Sequence, residues 1–121
     1  MNRFLTFEQL EQAHEKTFEA IESRFPNKEV HFWGSATSLE SLIENGEDYD
    51  CPTDTNISKA KELFGASVIC TIFPIRELCY KCNGQSGYAN IQVLEFCVPV
   101  LDEDGDVEEY ETKGYIYNEY L

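Results

Sequence analysis

Residues Tyr88 to Tyr120 read YANIQVLEFCVPVLDEDGDVEEYETKGYIYNEY, and this stretch decides the fold. Tyr88 to Leu101 is apolar and rich in β-branched and aromatic residues, which predicts a long strand. Asp102 to Asp106 is turn chemistry centred on Asp104-Gly105, the strongest short hairpin signal. Val107 to Tyr120 returns as a second strand, with a bulge expected at Gly114. A hairpin of this length needs further strands and a packing layer on its face.

The neighbouring segments supply them. Asn83-Gly84-Gln85-Ser86-Gly87 is a turn, and Glu77 to Cys82 before it reads as a strand. Ala66 to Ile75 (ASVICTIFPI) reads as a buried strand that ends near Pro74, which cannot donate to a ladder. The expected sheet is an antiparallel meander of about four strands. The N-terminal half has helical period. Thr6 and Gln9 form a capping box, and Phe7, Leu10, His14, Phe18, Ile21 and Phe25 recur on one face, predicting an amphipathic helix over Phe7 to Arg24. Glu29 to Trp33 is a short strand or extended link closed by Gly34. Thr37 and Glu40 suggest a second capping box and a short helix to Asn45, stopped at Gly46. Glu47 to Thr55 reads as loop. A third short helix, capped by Thr55 or Asn56, reaches Phe64 and stops at Gly65. The fold class is α+β: an N-terminal amphipathic helix and two short helices packed on an antiparallel sheet. At 121 residues the chain forms a single domain.

Charge is distributed unevenly. The formal net charge is −14, from 23 acids against nine bases. Glu95 to Thr112 holds eight acids and no Lys or Arg, and Glu40 to Ser58 holds six more, again with no base. The remainder has nine acids and nine bases, so the whole imbalance sits in two windows. A hydrophobic fraction of 42% is too high for a disordered acidic tail. Nucleic acid and anionic membranes would repel such a surface, and a basic protein complements it. The first residues have only Arg3 as a base, and neither a signal-peptide core nor an apolar run of ~20 residues is visible. Five cysteines, an odd number, cannot close a full disulfide framework. A reducing cytoplasm is the expected compartment.

Motifs for chemistry are weak. Cys79 and Cys82 have C-x2-C spacing, but no second pair or nearby His completes a zinc set. In a strand they point to opposite faces, so we read them as ordinary thiols. Asp102, Asp104 and Asp106 suggest a calcium loop, but Gly105 is fourth instead of sixth and the twelfth position is Lys113. We read this segment as a charged turn, and His14 as a hydrogen-bonded core residue. No Cys-His pair can be placed and no phosphate-binding glycine loop is present. The expectation is a binding protein, not an enzyme, with no cofactor or metal. Tyr110, Tyr115, Tyr117 and Tyr120 suit strands, and some suit an interface.

The acids suit mimicry of a phosphate row. If Asp106 to Glu111 is a strand, Asp106 and Glu108 share one face and Glu109 and Glu111 the other, with roughly 6.8 Å between neighbours on a face. The size, the acid-rich α+β layout and the two windows resemble small bacterial and phage DNA-mimic proteins, most of all the small neisserial mimic that binds the histone-like protein HU. The resemblance implies a monomer that occupies the DNA-binding surface of a basic, HU-like nucleoid protein. It assigns that role to Glu44, Glu47, Asp48, Asp50, Asp54, Asp102, Glu103, Asp104, Asp106, Glu108, Glu109 and Glu111. The alternative is an immunity or inhibitor protein for a basic nuclease, a toxin or a phage-defence enzyme.

Overall fold

The structure is a computed structural model that describes residues 4–49 and 55–120. Among these residues the fold is α+β, as expected. In chain order it comprises α1 (Phe7–Glu22), β1 (His31–Trp33), a single 3-10 turn at Ser35–Thr37, α2 (Leu39–Leu42), β2 (Glu47–Tyr49) and α3 (Thr55–Phe64). Four more strands follow: β3 (Ile69–Ile72), β4 (Arg76–Cys82), β5 (Gln85–Leu101) and β6 (Val107–Tyr120).

β5 has 17 residues and organises the sheet. β4 pairs antiparallel with its first part, from Cys82 beside Gln85 to Arg76 beside Ile91. β3 pairs with a later part, from Ile72 beside Leu94 to Ile69 beside Cys97. β6 pairs along Asn90 to Leu101 and so overlaps both. A strand has two edges, so β3 and β4 lie end to end along one edge of β5 and β6 takes the other. The break between β3 and β4 falls at Pro74, which has no N–H to give. Phe73 bridges it: its N–H donates to the Val93 carbonyl at 3.2 Å, and Gln92 Nε2 donates to the Phe73 carbonyl at 3.2 Å. β1 flanks β4 and β2 flanks β3. The six strands thus fill four lanes, close to the expected number of about four; the expected meander would pair β3 with β4, and here both share one edge of β5 instead.

Both faces of the central lanes are buried. Leu78, Ile91 and Val93 pack with Leu10 and Ile21 of α1 and Leu42 of α2, with Tyr115 and Tyr117 at the margin. Leu94, Phe96 and Ile116 face the opposite way and pack with Ile57 and Ala60 of α3. Consecutive Val93 and Leu94 are both core residues because a strand alternates faces and both faces are covered. Phe96 is fully buried, with Phe4 against it edge-to-face at 5.0 Å. Phe96→Ala is expected to cost about 3–5 kcal/mol, measured by urea unfolding, because the cavity is hemmed in by helix and sheet.

Local signals behave as read where they are self-contained. The Thr6 hydroxyl accepts from the Gln9 N–H at 3.1 Å, and the Gln9 side chain accepts from the Thr6 N–H at 3.0 Å. Asn83-Gly84 forms a two-residue hairpin loop with both φ positive, at 52° and 80°, the conformation that matches strand twist, while Gln85 to Gly87, read as part of the turn, already pair in β5.

Four expectations change. Phe7 is not in the core: it is half-exposed and stands edge-on to Tyr115 at 6.0 Å, while Thr17 takes a buried place on the helix face. The second helix is capped by Ser38, whose hydroxyl accepts from the Ser41 N–H at 3.2 Å; Thr37 instead donates to the Gly34 carbonyl at 2.9 Å. The left-handed residue after α2 is Asn45, with φ 60°, and not Gly46. Gly46 is small for another reason, since a Cβ there would collide with the ring of Phe73. Finally, Glu47 to Tyr49 is a strand and not a loop. It carries no apolar alternation of its own, and the exposed edge of β3 supplies the partner.

α1 and β6 are joined by a polar chain. His14 Nδ1 lies 3.3 Å from the Tyr117 hydroxyl, which lies 2.9 Å from the Thr17 hydroxyl, which in turn donates to Glu119 at 3.1 Å. His14 Nε2 is buried and has no partner among the described residues. Burial lowers the His14 pKa below the usual 6.5, partly offset by the Thr37 backbone and by Glu15. A base with a depressed folded pKa binds fewer protons folded than unfolded, so its contribution is intact above the unfolded value and is lost as pH falls below it. Urea melts of wild type and His14→Gln should differ by a constant above pH 6.5, and the variant should gain on wild type towards pH 5; parallel curves would contradict this.

Candidate functional site

The β5–β6 hairpin continues past the body of the sheet. β3 stops at the level of Cys97, and from there Val98 to Leu101 pairs only with Val107 to Glu111 of β6. Every residue from Leu101 to Lys113 is exposed. The result is a two-stranded acidic arm carrying Asp102, Glu103, Asp104, Asp106, Glu108, Glu109 and Glu111.

The arm tip is built by its own carboxylate. Asp102 Oδ1 accepts from the N–H groups of Asp104 and Asp106, both at 2.9 Å. The Asp102 N–H donates to the Asp106 carbonyl at 2.8 Å, and Gly105 takes φ 86°. Asp102 is therefore a structural acceptor, while Glu103, Asp104 and Asp106 present charge around it. Among the described residues Glu111 is the only arm carboxylate in an ion pair, with Lys113 at 3.3 Å. Asp102→Asn retains an acceptor and should leave amide exchange at residues 104 and 106 close to wild type. Asp102→Ala removes it and should raise exchange there; equal exchange in the two variants would contradict the assignment.

Two register shifts set the arm's faces. One separates Phe96, beside Gly114, from Cys97, beside Thr112, so the extra residue is Lys113, next to the position expected for the bulge. The other separates Val100, beside Glu109, from Leu101, beside Val107, so the extra residue is Glu108. Residues directly opposite in a ladder share a face. Glu109 and Glu111 therefore lie with Val100 and Val98, on the side of the sheet that carries α3. The expected sharing of a face by Asp106 and Glu108 does not follow simple alternation, because Glu108 is the bulged residue. The bulge has a second effect. Val107 and Tyr110 are three apart and would face opposite ways in a regular strand, yet Val107 pairs with Leu101 and Tyr110 with Pro99. All four then share the face that carries α1.

One carboxylate from each acidic window lies on that same face. Asp48 pairs with Thr71, Thr71 with Glu95 and Glu95 with Tyr115, one row across four strands. Asp48 and Glu95 are two lanes apart, roughly 10 Å at ordinary strand spacing. The Thr71 hydroxyl donates to Asp48 at 2.9 Å and the Thr112 hydroxyl to Glu95 at 3.2 Å. Burial, and then the charge of Glu95, push the Tyr115 hydroxyl up to about 12. Burial also pushes the Cys97 thiol up, and Glu95 and Asp48 add to it against the contact with Thr112. Cys97 thus stays protonated at neutral pH and is a poor nucleophile.

The predicted residues fall into groups. Asp102 to Glu111 form the arm. Asp48 lies two lanes from Glu95 in the same row, and Glu47 turns to the α3 side beside Ile72. Glu44 precedes β2, which runs parallel to β5 because both oppose β3, so Glu44 lies at the end away from the arm; its carbonyl accepts from Arg76 at 3.1 Å. Asp50 and Asp54 lie outside the described residues. Glu95, Leu101 and Val107 were not singled out by sequence. Glu95 was detectable as the one carboxylate inside an otherwise apolar strand.

Elsewhere, Cys79 is flanked by Leu78 and Tyr80, which face the α1 side, so Cys79 and Cys82 point to opposite faces. No group of three His, Cys, Asp or Glu gathers as a metal cluster among the described residues. No helix among them is long and apolar enough to cross a membrane. A second exposed surface crosses three strands: Trp33 beside Cys79 and Cys79 beside Tyr88, with His31 stacked on Trp33 at 5.6 Å. No family model matches this chain, and no curated protein or solved structure shows significant similarity to it.

Proposed function

We propose that this chain is an acidic binding protein that occupies the DNA-binding surface of a basic, HU-like nucleoid protein and competes with DNA for it. In this reading it acts in the cytoplasm, as a monomer, without catalysis or cofactor. The observation that carries the reading is the arm, where four carboxylates of the turn and three of β6 project, with one ion pair among them in the described residues. Carboxylates held this way favour charge-assisted hydrogen bonds to Lys and Arg and steer encounter with a basic surface. Glu109 and Glu111 lie on one strand and face at roughly 6.8 Å, a spacing comparable with that of successive phosphates. Asp48 and Glu95 extend negative charge from the arm across the sheet.

An inhibitor of a basic nuclease is the second reading. It is favoured by one specific observation, the exposed Leu101, Val107 and Tyr110 in the middle of the arm, since specific inhibitors rely on apolar anchors.

The test is a titration of a purified HU-like nucleoid protein and of a basic DNase with the full chain, at 50 and 200 mM salt and with duplex DNA as competitor. Mimicry predicts binding to the nucleoid protein that weakens at least tenfold between the two salts and is displaced by DNA. Asp102→Asn combined with Asp104→Asn and Asp106→Asn should weaken it further without unfolding the arm. Binding to the DNase alone would move the assignment to the inhibitor.

A further inference from the structure

We infer that the α1-side face of the arm, formed by Pro99, Leu101, Val107 and Tyr110, is an apolar anchor that inserts between basic side chains of a protein partner. The inference rests on the proposal that the partner is a basic protein and adds where, and by what chemistry, it is held.

Three observations converge on this face. The first is exposure: Leu101, Val107 and Tyr110 are 57%, 48% and 54% exposed, and nothing in the fold needs them there. The second is the bulge at Glu108. Without the extra residue, Val107 and Tyr110 would lie on opposite faces; with it, Val107 stands beside Leu101 and Tyr110 beside Pro99. Bulges re-aim side chains in this way. The effect here is to collect the apolar side chains of the arm on one face and leave Glu109 and Glu111 on the other. The third is charge. The face is bordered by Asp102 and Asp106 at the tip and by Glu108 at the bulge, while Glu95 lies on the same face nearer the body.

An apolar centre with an anionic rim has a specific complement. The rim repels phosphate, so neither nucleic acid nor an anionic bilayer is attracted. It also disfavours a second copy of this chain, whose own arm bears the same charges. A basic protein with an apolar pocket flanked by Lys and Arg satisfies both parts. Tyr110 is the leading anchor, since a tyrosine offers a large rigid surface and a hydroxyl that can pair at the rim. The carboxylates then govern encounter and salt dependence, and the apolar face governs residence.

The experiment measures dissociation constants of wild type, Leu101→Ser with Tyr110→Ser, and Val107→Thr for a purified HU-like nucleoid protein and a basic DNase, at 50 and 200 mM salt. Circular dichroism and thermal melts monitor folding. Val107→Thr keeps the side-chain shape and serves if the double variant is unstable. The expected result is at least a tenfold loss for the double variant, and a severalfold loss for Val107→Thr, at both salts and with the ratio between salts unchanged. Affinities within twofold of wild type, from a variant that folds, would overturn the anchor while leaving the acidic-partner reading intact. If wild type binds neither probe at 50 mM salt, both the reading and the anchor fall. If the loss appears only at low salt, the face acts through the neighbouring charge and the anchor is overturned.

Discussion

Everything in this structure depends on the length of β5. β5 has 17 residues, and its two edges are used differently. One edge takes β4 and β3 in succession, interrupted at Pro74. The other takes β6 from Asn90 to Leu101. α1 and α2 cover one face of β5 and α3 the other, each over its own part of the strand. The partners on the first edge end before β5 does, and the remainder becomes a protruding hairpin. The arm is a consequence of that mismatch, and its exposed ladder needs charge to stay free of unwanted pairing.

This arrangement explains why one small domain tolerates a net charge of −14. The arm carries its seven carboxylates away from the core, into high dielectric, where mutual repulsion is weak. In the body, Thr71 and Thr112 hold Asp48 and Glu95 by hydrogen bonds, and burial favours the neutral form of His14 on α1. Strong charge and a well-packed core are separated in space.

Much of the fold was legible because its signals are local. A capping box at Thr6, the Asn83-Gly84 loop and the Asp104-Gly105 turn each depend on a few adjacent residues. What was not legible depends on partners far along the chain. Glu47 to Tyr49 becomes a strand only because β3 offers an edge. α3 lies on the face opposite α1, which no periodicity reports. The acidic windows were plain in the sequence, yet the shared row of Asp48 and Glu95 required the register of four strands. The bulge at Glu108 was hidden for the same reason, and with it the apolar face that it assembles.

If the arm, and not the body, binds a basic partner, the footprint of that partner falls on residues 98–112. Hydrogen exchange of the full chain, alone and with a purified HU-like nucleoid protein, tests it most directly, because the surface of Trp33, Cys79 and Tyr88 is a built-in rival. Binding through the arm gives new protection over residues 98–112, with the Trp33 and Tyr88 segments unchanged. Protection of those segments, with the arm exchanging as in the free chain, would contradict it.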